Sequence, residues 1–176
     1  MVELVELYQN FLDFMEAGGD VLWLILALTI LLWTLICERL WFMRRKHPRR
    51  LALALDAWDS RGDHHSWYAH RIREAWISEL SIDLQRYIPL LKTTIAILPL
   101  VGLLGTVTGM IQVFDVLAVT GTGNPRAMAS GVSAATLPTM AGMVAALSGL
   151  YFSSRVERRA KREIRVAEDS ISFLEK

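Results

Sequence analysis

The first 20 residues of this 176-residue chain contain no lysine or arginine and five acids, Glu3, Glu6, Asp13, Glu16 and Asp20. A cleavable signal peptide starts basic, so this one is excluded and the N-terminus is expected to stay attached. The net charge is only +1, and the few aromatics lie near apolar segments rather than between basic residues. That pattern gives no nucleic acid a surface to bind. A single cysteine, Cys37, rules out an internal disulfide; within an apolar run it reads as a small hydrophobe. Histidine is missing from the apolar stretches. His64, His65 and His70 have no cysteine nearby and no carboxylate at ligand spacing, so no metal is expected. No Ser, His and Asp set and no paired carboxylates point to an enzyme, and no cofactor is implied.

Apolar residues are abundant, at 53% of the chain, and the mean hydropathy is +0.32. Three stretches could cross a bilayer, which takes about 20 helical residues. VLWLILALTILLWTLIC, from Val21 to Cys37, is the first; the others centre on Thr93 to Leu117 and Ala129 to Phe152. Of 19 basic residues, ten lie between Arg44 and Lys92 and seven follow residue 153. The positive-inside rule then places the N-terminus outside and the tail inside. The predicted order is an outer amphipathic helix (1–19), span one (20–43), an inner helical loop (44–92), span two (93–117), a short outer loop (118–128), span three (129–152) and an inner helical tail (153–176).

Leu4, Val5, Tyr8, Phe11, Leu12 and Met15 fall on one face of the first helix, suited to a membrane surface or a partner. Gly18 and Gly19 should end it. RRKHPRR follows span one, and Arg44, Arg45, Lys46, Arg49 and Arg50 read as a topological anchor in contact with lipid headgroups. Tyr68, Ile72, Trp76, Leu80, Leu84 and Tyr87 make a stripe along a helix from Trp67 to Ile88. In the tail, Val156, Ala160, Ile164, Ala167, Ile171 and Leu174 form a narrow apolar seam. Such a seam needs a partner, and self-association is the expected one.

GLLGTVTGM, residues 102–110, poses the functional question. A phosphate loop would need Lys before its Ser or Thr, and a dinucleotide site would need a preceding strand and a soluble helix. Neither is present. On a helix, Pro99, Gly102, Thr106, Gly109 and Val113 share a face with Gly105 beside it, while Gly131, Ala135, Thr139, Gly142 and Ala146 share one on span three. Two readings stay open for these faces: close helix packing, with each threonine bonded to its own backbone, or a functional surface with a hydroxyl at mid-span. From Thr93 to Phe152 the only acid or base residues are Asp115 and Arg126. A proton path through these spans would therefore borrow its titratable group from elsewhere.

PLVGLLGTVTGMIQVF (99–114) together with SAATLPTMAGMVAAL (133–147) resembles the ExbB, TolQ and MotA family of bacterial inner-membrane motor subunits, and ExbB of a second-type TonB system most. The inner loop is shorter than the torque-generating loop of MotA proteins. The resemblance implies an all-α membrane protein whose three transmembrane helices extend into a cytoplasmic helical region and which assembles as a homopentamer around a central pore. It further implies a bacterial inner-membrane location, with the N-terminus periplasmic and the C-terminus cytoplasmic. The partners implied are an ExbD-like single-span protein supplying a transmembrane Asp, TonB, and membrane lipids. Thr106 and Thr139 match the family's pore-facing threonines, with Pro99, Gly102, Gly109, Ala135 and Gly142 on the same pore faces. Gly105, Gly131 and Pro138 would serve helix packing. The family's third-span glutamate is Ala134 here and its inner proline is Ser148, which leaves the titrating group to the partner. The implied role is a proton-channel subunit energising TonB-dependent import. A TolQ-type envelope subunit is the near alternative, and a membrane scaffold or transporter subunit is more distant.

Overall fold

A computed structural model describes residues 2–45, 47–63, 66–121 and 125–171. Lys46, His64, His65 and Leu174 lie outside them, as does the side chain of Arg126. The described residues are all helical apart from short turns: α1 (Val2–Arg45), α2 (His47–Asp59), α3 (Trp67–Gln85), α4 (Ile88–Thr120) and α5 (Pro125–Ser170). Among them, α1, α4 and α5 are long and apolar enough to cross a membrane.

The helix ends follow local chemistry. Gly19 takes φ 65°, ψ −164°, a positive-φ conformation that glycine adopts at no steric cost; the helical backbone stops there as the glycine pair predicts, and α1 is two helices joined at this kink. Gly121, at φ 77°, closes α4 by donating its N–H to the Leu117 carbonyl, and Pro125 opens α5, where a missing N–H costs nothing. The span-two and span-three helices thus reach further into the outer loop than the composition of 118–128 predicts. Ser66 caps α3 by accepting from the Ala69 N–H. The predicted helix through Ile88 instead breaks at Arg86 and Tyr87, where Tyr87 has φ 79°. Pro89 explains this: it has no N–H for the Gln85 carbonyl, so α3 cannot continue, and the proline sits in the first turn of α4 instead.

The chain divides into two compact units, Met1–Trp33 with Thr93–Leu150, and Thr34–Lys92 with Tyr151–Lys176. In the first, Leu22, Ile25 and Leu32 of α1 and Leu98 of α4 are buried, and Gly149 of α5 lies against Leu32 and Ile95. Large side chains cover the outside, among them Leu103, Val107, Ile111, Phe114, Val144 and Leu147. That surface suits lipid or further protein. Leu4, Val5, Tyr8 and Phe11 of the N-terminal face are likewise exposed, whereas Met15 is buried.

The second unit buries the tail seam. Val156 and Ala160 pack with Met43, Leu84 and Ile88; Ala167 and Ile171 pack with Trp58, Ala69 and Leu80. The seam's partner is therefore the chain's own helical loop, not a second copy. A sequence of three spans and a loop of 49 residues (44–92) conceals this because α2 and α3 look too small to cover a helix until they pair. The buried stripe of α3 starts at Ala69; Tyr68 points out.

Arg39 organises this unit and its role is not evident from its position at the end of span one. It is 2% exposed; its guanidinium holds Glu38 at 2.8 Å, donates to the Asp83 carbonyl at 2.9 Å and lies over the rings of Phe42 and Tyr87 at 4.8 and 4.7 Å. Arg50 pairs with the Asp83 carboxylate. One residue of α3 thus receives both α1 and α2. The planar fork and the two ring stacks need arginine; an ammonium cannot make them all. Arg73 in turn donates to the last carbonyls of α5, at Glu168 and Ile171.

Two ionisable groups make this unit acid-sensitive. The Glu157 carboxyl is held below its usual range by hydrogen bonds from Lys92 and Lys161, at 2.9 and 3.1 Å. Its contribution to stability is present above the ordinary value of 4.5 and is lost as pH falls through the folded value. Burial lowers the pKa of His47 below 6.5, opposed by Glu163 at 3.8 Å. The unfolded chain then takes up a proton that the folded chain resists, so stability declines as pH falls below 6.5. Unfolding of the purified full chain in detergent should show both windows, with His47→Leu removing the upper one and Glu157→Gln the lower. Arg39→Ala should destabilise by on the order of 2–4 kcal/mol, and Arg39→Lys should recover less than half of that. A full rescue by lysine in thermal unfolding would show that the fork and stacking geometry is unimportant.

Candidate functional site: the α4–α5 hydroxyl face

The small residues of α4 and α5 lie against one another. A methyl at Gly102 would sit 2.9 Å from the Pro138 carbonyl oxygen and 3.0 Å from Thr139 Cα. At Gly142 it would meet the Leu98 carbonyl oxygen at 2.6 Å, and at Gly109 the Ala135 Cβ at 2.6 Å. Gly105 lies against the Pro138 ring and Val21, and Gly131 against Val113. At Gly102 and Gly142 backbone meets backbone, and at Gly105, Gly109 and Gly131 a neighbouring side chain fills the space that a Cβ would need, as in close-packed membrane helices.

This contact changes the role of several residues expected along a pore. Gly102, Ala135 and Gly142 are buried between α4 and α5, and Gly109 is held against Ala135. Their smallness is used within the subunit, so they offer a lumen almost no surface. Pro99 is partly buried. Gly105, Gly131 and Pro138 occupy the same contact. Periodicity could not separate these roles because a face that packs and a face that lines a pore have the same spacing.

The threonines differ from the glycines. Thr106 and Thr139 both remain partly exposed. Thr106 donates to the Leu103 carbonyl of its own helix at 2.7 Å. Thr139 does not bond to its own helix; its hydroxyl reaches across to the Gly102 carbonyl at 2.8 Å, one turn from Thr106 on α4. It therefore ties the two spans together at mid-length, a bond worth about 1 kcal/mol net. Four further span hydroxyls donate to carbonyls of their own helix: Thr29 to Ile25, Thr108 to Leu104 and Gly105, Thr136 to Ser133 and Ser148 to Ala145. Each hydroxyl has one proton, so what these residues present outward is their oxygen lone pairs.

Charge is sparse around this face. Asp115 is the acid of α4 and is exposed. No group of three or more His, Cys, Asp or Glu able to hold a metal occurs among the described residues. Of the basic residues after span one, Arg44, Arg45 and Arg49 are exposed, while Arg50 is committed to Asp83. The anchor set is thus three free cations and one structural one among its described members.

Comparison with known proteins bears on this arrangement. Residues 45–169 match the MotA/TolQ/ExbB proton channel family. An ExbB-like 1 biopolymer transport protein of Synechocystis sp. is 33% identical over 173 residues, covering 79% of this chain and 67% of that protein. The biopolymer transport protein exbB1 of Vibrio cholerae is 31% identical over 100 residues, 56% of this chain and 44% of its own length. A third, ExbB-like 3 of Synechocystis sp., is 34% identical over 73 residues, and this chain spans 35% of it. The matched region contains the inner helices, both small-residue helices and the two half-exposed threonines, and on this footing the chain belongs to the MotA/TolQ/ExbB proton channel family.

Proposed function

We propose that this chain is an inner-membrane proton-channel subunit of the ExbB kind. It would assemble as a homopentamer and, with an ExbD-like single-span partner that carries a transmembrane aspartate, use the proton motive force to energise TonB-dependent import. The observation that carries the reading is the pair of half-exposed hydroxyls, Thr106 and Thr139, on spans that hold no acid or base at mid-depth. The names of the relatives, which speak of biopolymer transport and ExbB, favour this over a TolQ-type role. In this reading the N-terminal segment is periplasmic and the Arg39 unit cytoplasmic.

The chemistry follows from the hydroxyl geometry. A partner carboxylic acid in its neutral form could donate to the lone pairs of Thr106 or Thr139 as they stand. Once ionised, it would need a donor, which these threonines supply only by turning their O–H away from Leu103 and Gly102. For Thr139 that turn releases a bond between α4 and α5, so protonation of the partner and packing of the spans are linked. Each proton moved through the membrane releases about 2.3 kcal/mol per 100 mV, more than one such bond.

Thr106→Val with Thr139→Val should leave a pentamer with its partner intact in native mass spectrometry but reduce iron-siderophore-dependent growth by at least about tenfold; unimpaired growth of the double variant would remove the pore assignment. Thr139→Ser, which keeps the hydroxyl, should restore most activity. By contrast, Gly142→Val should cost on the order of 1–3 kcal/mol of overpacking and lower the amount of assembled protein itself. A purified chain that stays monomeric with the partner co-expressed would contradict the assembly.

A further inference from the structure

Away from the threonine pair, a cavity of about 470 Å³ lies in the first unit between the kink of α1, the outer half of α4 and the start of α5. Neither Thr106 nor Thr139 lines it, and the proton-channel reading makes no use of it. Glu16 and Asp20 stand on α1, Thr108 and Gln112 on α4, and Ala134 and Pro138 on α5. We infer that this cavity is a hydrated vestibule that admits water and small cations, hydronium among them, into the middle of the subunit.

Three features favour water over an acyl chain as the occupant. Pro138 has no N–H for the carbonyl of Ala134, four residues earlier on the same helix, and both residues line the cavity. In a membrane such a carbonyl must find another donor, and water is the smallest one. Thr108 has given its proton to Leu104 and Gly105, at 3.1 Å each, and the Gln112 amide is exposed. Hydrocarbon would offer no partner to the Ala134 carbonyl or the Gln112 amide, at a few kcal/mol each, and nothing to the Thr108 lone pairs. At about 30 Å³ per molecule, the volume holds on the order of ten waters, those nearest Glu16, Asp20, Thr108 and Gln112 having polar partners.

Charge selects what enters with the water. Among the described lining residues Glu16 and Asp20 are the charged groups, and none is a lysine, arginine or histidine. A cleft with one sign of charge and low-dielectric walls concentrates counter-ions by roughly tenfold or more. Gly18 and Gly19, where the kink forms, keep large side chains out of the lining.

Thiol accessibility tests this on the full chain in native membranes, with Cys37→Ala as background. Ala134→Cys and Thr108→Cys are reporters, and Val107→Cys, on the exposed apolar surface, is the control. Cationic trimethylammonium-ethyl and anionic sulfonato-ethyl methanethiosulfonates, and apolar N-ethylmaleimide, are applied to spheroplasts and to inverted vesicles. The expected result is reaction of positions 134 and 108 with both charged reagents from one side, the cationic one faster by roughly tenfold beyond its intrinsic ratio. Asp20→Asn with Glu16→Gln should abolish that excess, and position 107 should react with N-ethylmaleimide alone. If both reporters behave like position 107, lipid or protein fills the cavity and the proposal fails. Reaction with the charged reagents at their intrinsic ratio overturns cation admission. Because no transport is measured, failure here leaves the threonine experiment unaffected, and the reverse also holds.

Discussion

The distance between α4 and α5 is the constraint on which the first unit rests. Glycines at 102, 105, 109, 131 and 142 let two backbones approach until a methyl on one would strike the other, and the Thr139 hydroxyl closes the contact on Gly102. In hydrocarbon there is no hydrophobic drive for helices to associate, so packing contacts and cross-helix hydrogen bonds must supply the attraction. The same closeness fixes which residues remain available. Once the glycines are consumed, the hydroxyl oxygens and the large apolar side chains form the remaining surface.

The second unit is held by different means. Its centre is a charged side chain, Arg39, withdrawn from solvent and satisfied by a carboxylate, a carbonyl and two rings. Burying a charge is costly unless every donor is used, and here most are. Tyr87, one of those rings, sits at the forced break between α3 and α4, so the arginine stabilises the place where Pro89 interrupts the helix. A packing-based first unit and a polar second unit occur in one chain because α1, α4 and α5 each contribute to both.

Much of this was legible in the residues. Three apolar runs announce three long helices, and PLVGLLGTVTGMIQVF with SAATLPTMAGMVAAL carries the family. What could not be read has physical causes. The spacing of Gly102, Gly109 and Gly142 is compatible with packing and with lining a pore, and only coordinates separate the two. The tail seam looked unpartnered because α2 and α3 acquire a burying surface only when paired. The role of Arg39 is hidden because a single basic residue at the end of a span says nothing about the ring of Tyr87, 48 positions away, that it stacks on. The cavity lies between a glycine kink in α1 and a proline in α5, a juxtaposition that no local pattern displays.

The tail seam has one last consequence. With Val156, Ala160, Ala167 and Ile171 spent inside the chain, the seam itself is closed to another subunit, and the apolar area left on this unit lies elsewhere, at side chains such as Trp41, Leu53 and Ile82. On the broad apolar flanks of α4 and α5, any association between copies would meet a competitor, because lipid tails solvate the same side chains almost as well. Assembly would then be a contest between bilayer and protein for one surface. Its strength would be set by membrane thickness and acyl composition as much as by the amino acids themselves.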